Sequence, residues 1–415
     1  MDIDNNTNNN IIEEVEGGVC APEGFLAAGI YCGLRKNKDK RDLALIYSTA
    51  ECNAAALYTS NKVKADPLYV TMDHLKDGKA RAIIANSANA NACAPGGRKN
   101  AERMAEAAAK VLGIDATDVV VASTGVIGVT LDIDSIEGGV PELCQALSKG
   151  GSGDAAEAIM TTDTYKKEYA VSFELTGKKI SIGGISKGSG MIHPNMGTTL
   201  NFVTSDVNIE GELLEKAWRH CVNKSFNRIS VDGDTSTNDM ACIMVNGLAG
   251  NPVITEGSSE YIIFLSALMK VCVHLAKELA GDGEGCNRLI TCIVSNASGE
   301  EKAATIAKAV IASPLTKAAM AGADANWGRV LCAAGYSGAD FDYKKVDISF
   351  RSVKGEVSVC KNGNGLDFDE GVAEAILSTG ETQILINLNE GRDNATAWGC
   401  DLTSEYVKIN GNYRS

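Results

Sequence analysis

Thr198 and the glycine before it are the residues of this 415-residue sequence best suited to covalent chemistry. They sit near the middle of the chain, inside SKGSGMIHPNMGTTLNFVTSD, Ser186 to Asp206. Gly197 has no side chain to shield its carbonyl from the Thr198 hydroxyl, and it tolerates backbone angles that aim the two groups at each other. If the Gly197-Thr198 bond opens, Thr198 carries a hydroxyl and a free α-amine. That amine titrates near neutrality, at about 7.7 to 8.0. Nucleophile and base then belong to one residue, the threonine variant of the triad logic, and the chemistry is acyl transfer. By residue chemistry alone, a Gly-Thr-Thr turn opening a strand at 200–204 explains the same letters.

Other candidate groups lie on either side. Asp118 to Ala122 predicts a strand that runs out into Ser123-Thr124-Gly125. Such an exit can present backbone N–H groups to an oxyanion, or be an ordinary glycine turn. Lys187 stands eleven residues before Thr198, and Glu284 stands in a glycine-rich turn. In isolation each reads as a solvated turn residue. Asp232 to Asp239 is dense in oxygen ligands but lacks the twelfth-position glutamate of a calcium loop, so a polar loop near the site, without metal, is expected. The four histidines form no triad, and HExxH, GxGxxG and P-loop motifs are absent. His193, close to Thr198, is expected to be structural.

The elements that must hold these groups read as a mixture of strands and helices. Strands are expected at 42–48, 54–59, 82–85, 228–231, 242–245 and 289–294, with a hairpin of 169–175 and 179–185 leading into Lys187. Helices are expected at 67–75, 98–112, 141–148, 155–160, 213–223, 261–280, 300–311 and 329–334. The C-terminal end reads as strands near 346–351, 356–360, 383–388, 395–402 and 406–409. The first 18 residues, polar and asparagine-rich, are expected to be flexible and lack the pattern of a signal or transit peptide.

Composition narrows the class. Net charge is −14, which argues against nucleic acid or an acidic membrane as partner. Thirteen cysteines without CxxC spacing read as small buried hydrophobes in a reducing cytoplasm. Cys20, Cys93 and Cys286, near glycines, are expected to be unreactive too. The apolar stretch 261–280 is interrupted by Lys270, His274 and Lys277 and reads as a buried helix, not a membrane span.

KGSGMIHPNMGTTLNFVTSD resembles the central motif of the ornithine acetyltransferases, the ArgJ or bifunctional glutamate N-acetyltransferase/amino-acid acetyltransferase family. That motif usually reads KGSGMI-x-PNMAT, so Gly197 replaces an alanine. The resemblance extends from Gly18 to Ser415, including VCAPEGFLAAGIYCGLRKNKDKRDLALI. It implies an α+β fold like that of N-terminal-nucleophile hydrolases, a sandwich of two β-sheets between helix layers. It also implies self-cleavage into an alpha chain, 19–197, and a beta chain, 198–415, that stay intertwined, with a smaller C-terminal subdomain. By resemblance Thr198 is the nucleophile, Thr124 and Gly125 form the oxyanion hole, and Thr161, Lys187, Thr198, Glu284, Asn410 and Ser415 bind substrate. Thr162 could replace Thr161. The implied reaction moves acetyl from N2-acetylornithine to glutamate, giving ornithine and N-acetylglutamate, in the cytoplasm and in a heterotetramer of two alpha and two beta chains. Acetyl-CoA is a possible substrate and no metal or cofactor is implied. The rival readings are a related aminopeptidase or amidase that hands the acyl group to water, and a binding protein that stays one chain.

Overall fold

The computed structural model describes residues 12–193 and 199–411. Gly197, Thr198 and Ser415 therefore lie outside the described residues. Sixteen strands are found among the described residues. They are β1 (Glu13–Val15), β2 (Phe25–Ile30), β3 (Leu43–Tyr58), β4 (Lys79–Asn86), β5 (Val119–Ser123), β6 (Lys167–Leu175), β7 (Lys178–Lys187), β8 (Leu200–Ser205), β9 (Ile229–Ser230), β10 (Met240–Val245), β11 (Leu289–Ala297), β12 (Asp347–Ser352), β13 (Gly355–Lys361), β14 (Asn364–Gly365), β15 (Glu381–Asn387) and β16 (Asp393–Cys400). The helices are α1 (Asp66–His74), α2 (Gly97–Leu112), α3 (Ile133–Gln145), α4 (Ser152–Ile159), α5 (Gly211–Lys224), α6 (Ser259–Gly281), α7 (Glu300–Ala312), α8 (Pro314–Ala321), α9 (Trp327–Gly335), α10 (Glu370–Leu377) and α11 (Ser404–Gly411).

Nine strands form one hydrogen-bonded sheet, in the order β1-β6-β7-β8-β10-β3-β4-β5 with β2 beside β3. β3 links its two halves. Its first residues pair with β2 and β4, its last six pair with β10, and its register against β4 shifts between Tyr47 and Cys52. The expected strands at 42–48 and 54–59 are thus one strand of 16 residues with an irregularity where the small residues fall.

Side chains alternate along these strands with period two, so each strand serves two cores. Ile83, Val120, Phe202 and Cys242 share the interior between the halves. Their neighbours point outward: Ile84 and Val121 pack on Met104, Ala108 and Leu143 of α2 and α3, while Val203 and Ile243 pack on Trp218, Phe264 and Leu275 of α5 and α6. The result is a sandwich between helix layers, built by folding one sheet upon itself. Strands from both sides of position 198 interleave in it, since β8 and β10 lie between β7 and β3.

The other seven strands make a second sheet, β14-β13-β12-β15-β11-β16-β9, whose buried side chains pack against α7, α9 and α10. Trp398 and Cys400 of β16 join the α6 core, tying this C-terminal sheet to the sandwich.

Several expectations are corrected. Residues 406–409 are helical, within α11; the Thr403 hydroxyl accepts from Glu405 N at 3.2 Å and donates to Gly285 O at 2.6 Å, so capping and docking override β-branched letters. The helix expected at 141–148 begins at Ile133, where the Asp132 carboxylate accepts from Ser135 N, and it carries Pro141 inside. Within the segment expected to be flexible through Gly18, Glu13–Val15 is a strand that pairs with Ala170–Ser172. Helices α8 and α10 were not anticipated.

Candidate active site

Thr124, Gly125, Thr161, Thr162, Lys187 and Glu284, with Asn410 at the mouth, line one cavity of about 500 Å³. Thr199 and Leu200, where the described chain resumes, form part of the same wall. Thr199 directly follows position 198 in the sequence.

β5 delivers Thr124 and Gly125. Thr124 N–H donates to Asn86 O at 2.9 Å, so the backbone N–H expected to face an oxyanion is already used. What Thr124 offers is its hydroxyl, 3.4 Å from Lys187 Nζ. Gly125 sits at φ +132°, and a Cβ there would lie 2.5 Å from Ala88 O and Asn89 N. No other residue fits this turn. The asparagine run beneath it is structural: Asn86 Nδ2 donates to Asn89 O at 2.9 Å, and Asn91 Nδ2 donates to Gly97 O at 2.9 Å. Asn238 staples the 232–239 loop onto the same exit, donating to Ser123 O at 2.8 Å and Ala90 O at 2.6 Å.

β7 ends at Lys187, whose ammonium faces the cavity from a buried position, 7% exposed. Burial pushes its pKa down, Asp163 pulls it back up, Lys167 lowers it further, and Asp239 and Glu284 raise it. Glu284, on the turn after α6, accepts from Asn410 Nδ2 at 2.6 Å. Gly190 makes room for it, since a Cβ there would lie 2.5 Å from both Glu284 oxygens. A cation and a carboxylate thus face one cavity.

Sequence reasoning missed the groups behind this wall. Lys167 Nζ donates to Asp163 Oδ1 at 2.8 Å and Asp282 Oδ2 at 2.6 Å, all three side chains being buried. The adjacent Lys166 side chain is 52% exposed, so no letter-level signal separates the two. Burial raises the Asp163 pKa, but Lys187 and Lys167 more than offset this and hold it at about 2. A carboxyl depressed in the folded state stabilises the fold above the unfolded value of about 3.9, and that stability is lost as pH falls towards about 2. Thermal unfolding of the unmutated protein should accordingly drop steeply over that window, and Asp163→Asn should flatten the drop while lowering stability at neutral pH.

The oxygen-rich loop serves as a clamp. Asp232 accepts from Met191 N at 2.6 Å, Ile192 N at 2.9 Å and the Tyr406 hydroxyl at 3.2 Å. Among the described residues no group of three or more His, Cys, Asp or Glu is placed to hold a metal ion. His193 is outside the lining; Nδ1 lies 3.0 Å from Ser230 Oγ, and burial followed by Lys308 lowers its pKa to about 4. All thirteen cysteines are free thiols. No helix among the described residues is long and apolar enough to cross a membrane.

Comparison with known proteins agrees with the architecture. A family model described as the ArgJ family matches residues 26–415. The arginine biosynthesis bifunctional protein ArgJ of Caldanaerobacter subterraneus subsp. tengcongensis is 49% identical over 405 residues, covering 97% of this chain and 100% of that protein. Its namesake in Bacillus subtilis is 45% identical over 406 residues, 97% of this chain and 98% of that protein. The crystal structure of arginine biosynthesis bifunctional protein ArgJ from Bacillus halodurans aligns with TM-score 0.50 at 42% identity, over 52% of this chain and 100% of that one. With similarity running almost end to end, the chain belongs to the ArgJ family.

Proposed function

We propose that this chain is an acetyltransferase of arginine biosynthesis that cuts itself between Gly197 and Thr198 and then works through Thr198. The Thr198 hydroxyl, its proton taken by the new α-amine, attacks the acetyl carbonyl of N2-acetylornithine. The oxyanion rests on the Thr124 hydroxyl and the Gly125 N–H, ornithine leaves with the proton, and an acetyl-threonine ester remains. Glutamate then takes the acetyl group, giving N-acetylglutamate and restoring the hydroxyl. No coenzyme is needed for this exchange; acetyl-CoA as a second donor is consistent with the word bifunctional in the relatives' names.

The observation that carries this reading is the pairing of Lys187 and Glu284 across the cavity that contains Thr124, Gly125 and Thr199. Both substrates are amino acids with an α-carboxylate for Lys187, and ornithine adds an amine for Glu284. Thr161 or Thr162, Asn410 and Ser415 complete the substrate contacts in this proposal. The interleaving of β8 and β10 with β3 and β7 means that chains 19–197 and 198–415 would stay associated after the cut. The B. halodurans chain, matched in full by 52% of this one, supports a family member made of two pieces. We propose a cytoplasmic heterotetramer of two such pairs.

Steady-state kinetics test the assignment. Lys187→Met should raise KM for both N2-acetylornithine and glutamate, by about 30- to 100-fold, because it leaves a carboxylate unpaired in the cavity. Glu284→Gln should raise KM mainly for N2-acetylornithine. Acetate release that ignores added glutamate would make the protein an amidase and sink the transferase reading.

A further inference from the structure

Three cavity walls come from distant parts of the sequence: the 161–164 loop, the end of β7 with 188–190, and the turn 281–285 after α6. One buried cluster touches all three. Asp163 accepts from Thr161 N at 2.9 Å through Oδ2, and from Gly188 N at 2.6 Å and Lys167 Nζ at 2.8 Å through Oδ1. Asp282 accepts from Lys167 Nζ at 2.6 Å, Thr164 N at 3.0 Å and the Thr164 hydroxyl. Its backbone carbonyl accepts from Ser189 Oγ at 2.6 Å, and Glu284 N donates to Ser189 O at 3.0 Å.

We propose that Asp163, Lys167 and Asp282 form the positioning unit of the cavity, fixing the distance between Lys187 and Glu284, with Asp163 favouring the ammonium form of Lys187 for a substrate carboxylate. The inference deepens the proposed acetyl transfer and rests on it for the roles of Lys187 and Glu284.

Cost and placement support it. Burying one cation and two carboxylates carries a desolvation penalty that an apolar trio of similar volume would avoid, so the cluster is poorly explained as a stability device. It sits directly behind the wall and outside the lining; Asp163 accepts from the N–H of Gly188, next to Lys187, and Asp282 stands two residues before Glu284, with its carbonyl accepting from Ser189 Oγ. The charged groups facing Lys187 are Asp163 from the 161–164 loop, Lys167 from β6, Asp239 from the 232–239 loop and Glu284 from the turn after α6. Asp163 and Lys167 act on Lys187 with opposite signs.

The test is competitive labelling of the intact protein with acetic anhydride across pH, reading the labelling midpoint of Lys187 by peptide mass spectrometry. Asp163→Asn should move the midpoint to lower pH, because an attracting charge is gone. Lys167→Met should move it to higher pH, because a repelling charge is gone. An unchanged midpoint in Asp163→Asn, or shifts in the same direction in both variants, overturns the proposal. Should Lys167→Met fail to fold, Asp282→Asn joins Asp163→Asn: it acts on the Glu284 turn and should raise KM for N2-acetylornithine about tenfold while changing kcat less. A loss confined to kcat there, with KM unchanged, would overturn the positioning role. The labelling needs no turnover, so opposite midpoint shifts in a protein without acetyl exchange would contradict the functional reading and leave the charge coupling standing.

Discussion

Thr198→Ala should leave a single chain of 43.5 kDa where the unmutated protein should give two fragments, and should abolish acetyl exchange. The loss in kcat should reach about 10⁴-fold or more, since removal of a covalent nucleophile also removes whatever its base contributes. The replacement is small, and Thr199 and Leu200 beside it are held by the start of β8 against β10, with Met240 N donating to Thr199 O at 3.0 Å. Folding should therefore be retained, and the thermal midpoint should stay close to that of the uncut precursor. Thr198→Ser, which keeps hydroxyl and amine, should still cut and turn over. A Thr198→Ala protein that splits at the same bond, or keeps substantial exchange, would remove Thr198 from the mechanism.

Gly125→Ala should have the second-largest effect. A Cβ would collide with the Ala88 carbonyl carbon and lie 2.5 Å from Ala88 O, in a backbone conformation at φ +132° that L residues rarely adopt. Either the turn shifts or the 86–92 run gives way. Both move the Gly125 N–H and the Thr124 hydroxyl relative to the oxyanion, so kcat should fall by about 10²- to 10³-fold, the usual cost of one lost oxyanion donor. Thr124→Val should cost a similar factor and Thr124→Ser far less, because the N–H of Thr124 is already committed to Asn86 O. Activity of Gly125→Ala within a few fold of the unmutated protein, about what a surface change produces, would dismiss the turn as the oxyanion site.

The strands with the cleanest period-two or apolar runs were legible in the sequence. β4, β5, β10 and the β6–β7 hairpin fall close to where their letters place them. What escaped was set by partners distant in the chain. β3 is continuous because β10 pairs with its second half, a contact no window of sequence contains. α11 is helical because Thr403 caps it and Tyr406 reaches Asp232. The helices α8 and α10 did carry a signal, Ser313 before Pro314 and Asp369 accepting from Val372 N at 3.0 Å, and caps of this kind could have revealed them.

The cavity residues divide along the same line. Thr124, Gly125, Lys187 and Glu284 were approachable through motifs. Asp163, Lys167 and Asp282 were not, because burial turns an ordinary charged letter into a framework and the sequence does not print burial. Asp239, likewise on the lining, sits in a loop whose oxygens placed it near the site without singling out Asp239.

The most direct test of the account is the intact mass of the protein under denaturing conditions after incubation with N2-acetylornithine alone. Two fragments are expected, the second beginning at Thr198 and carrying one acetyl group, with one ornithine released per site and the acetyl group lost when glutamate is added. A single full-length chain, or an unmodified second fragment accompanied by acetate regardless of glutamate, would contradict it.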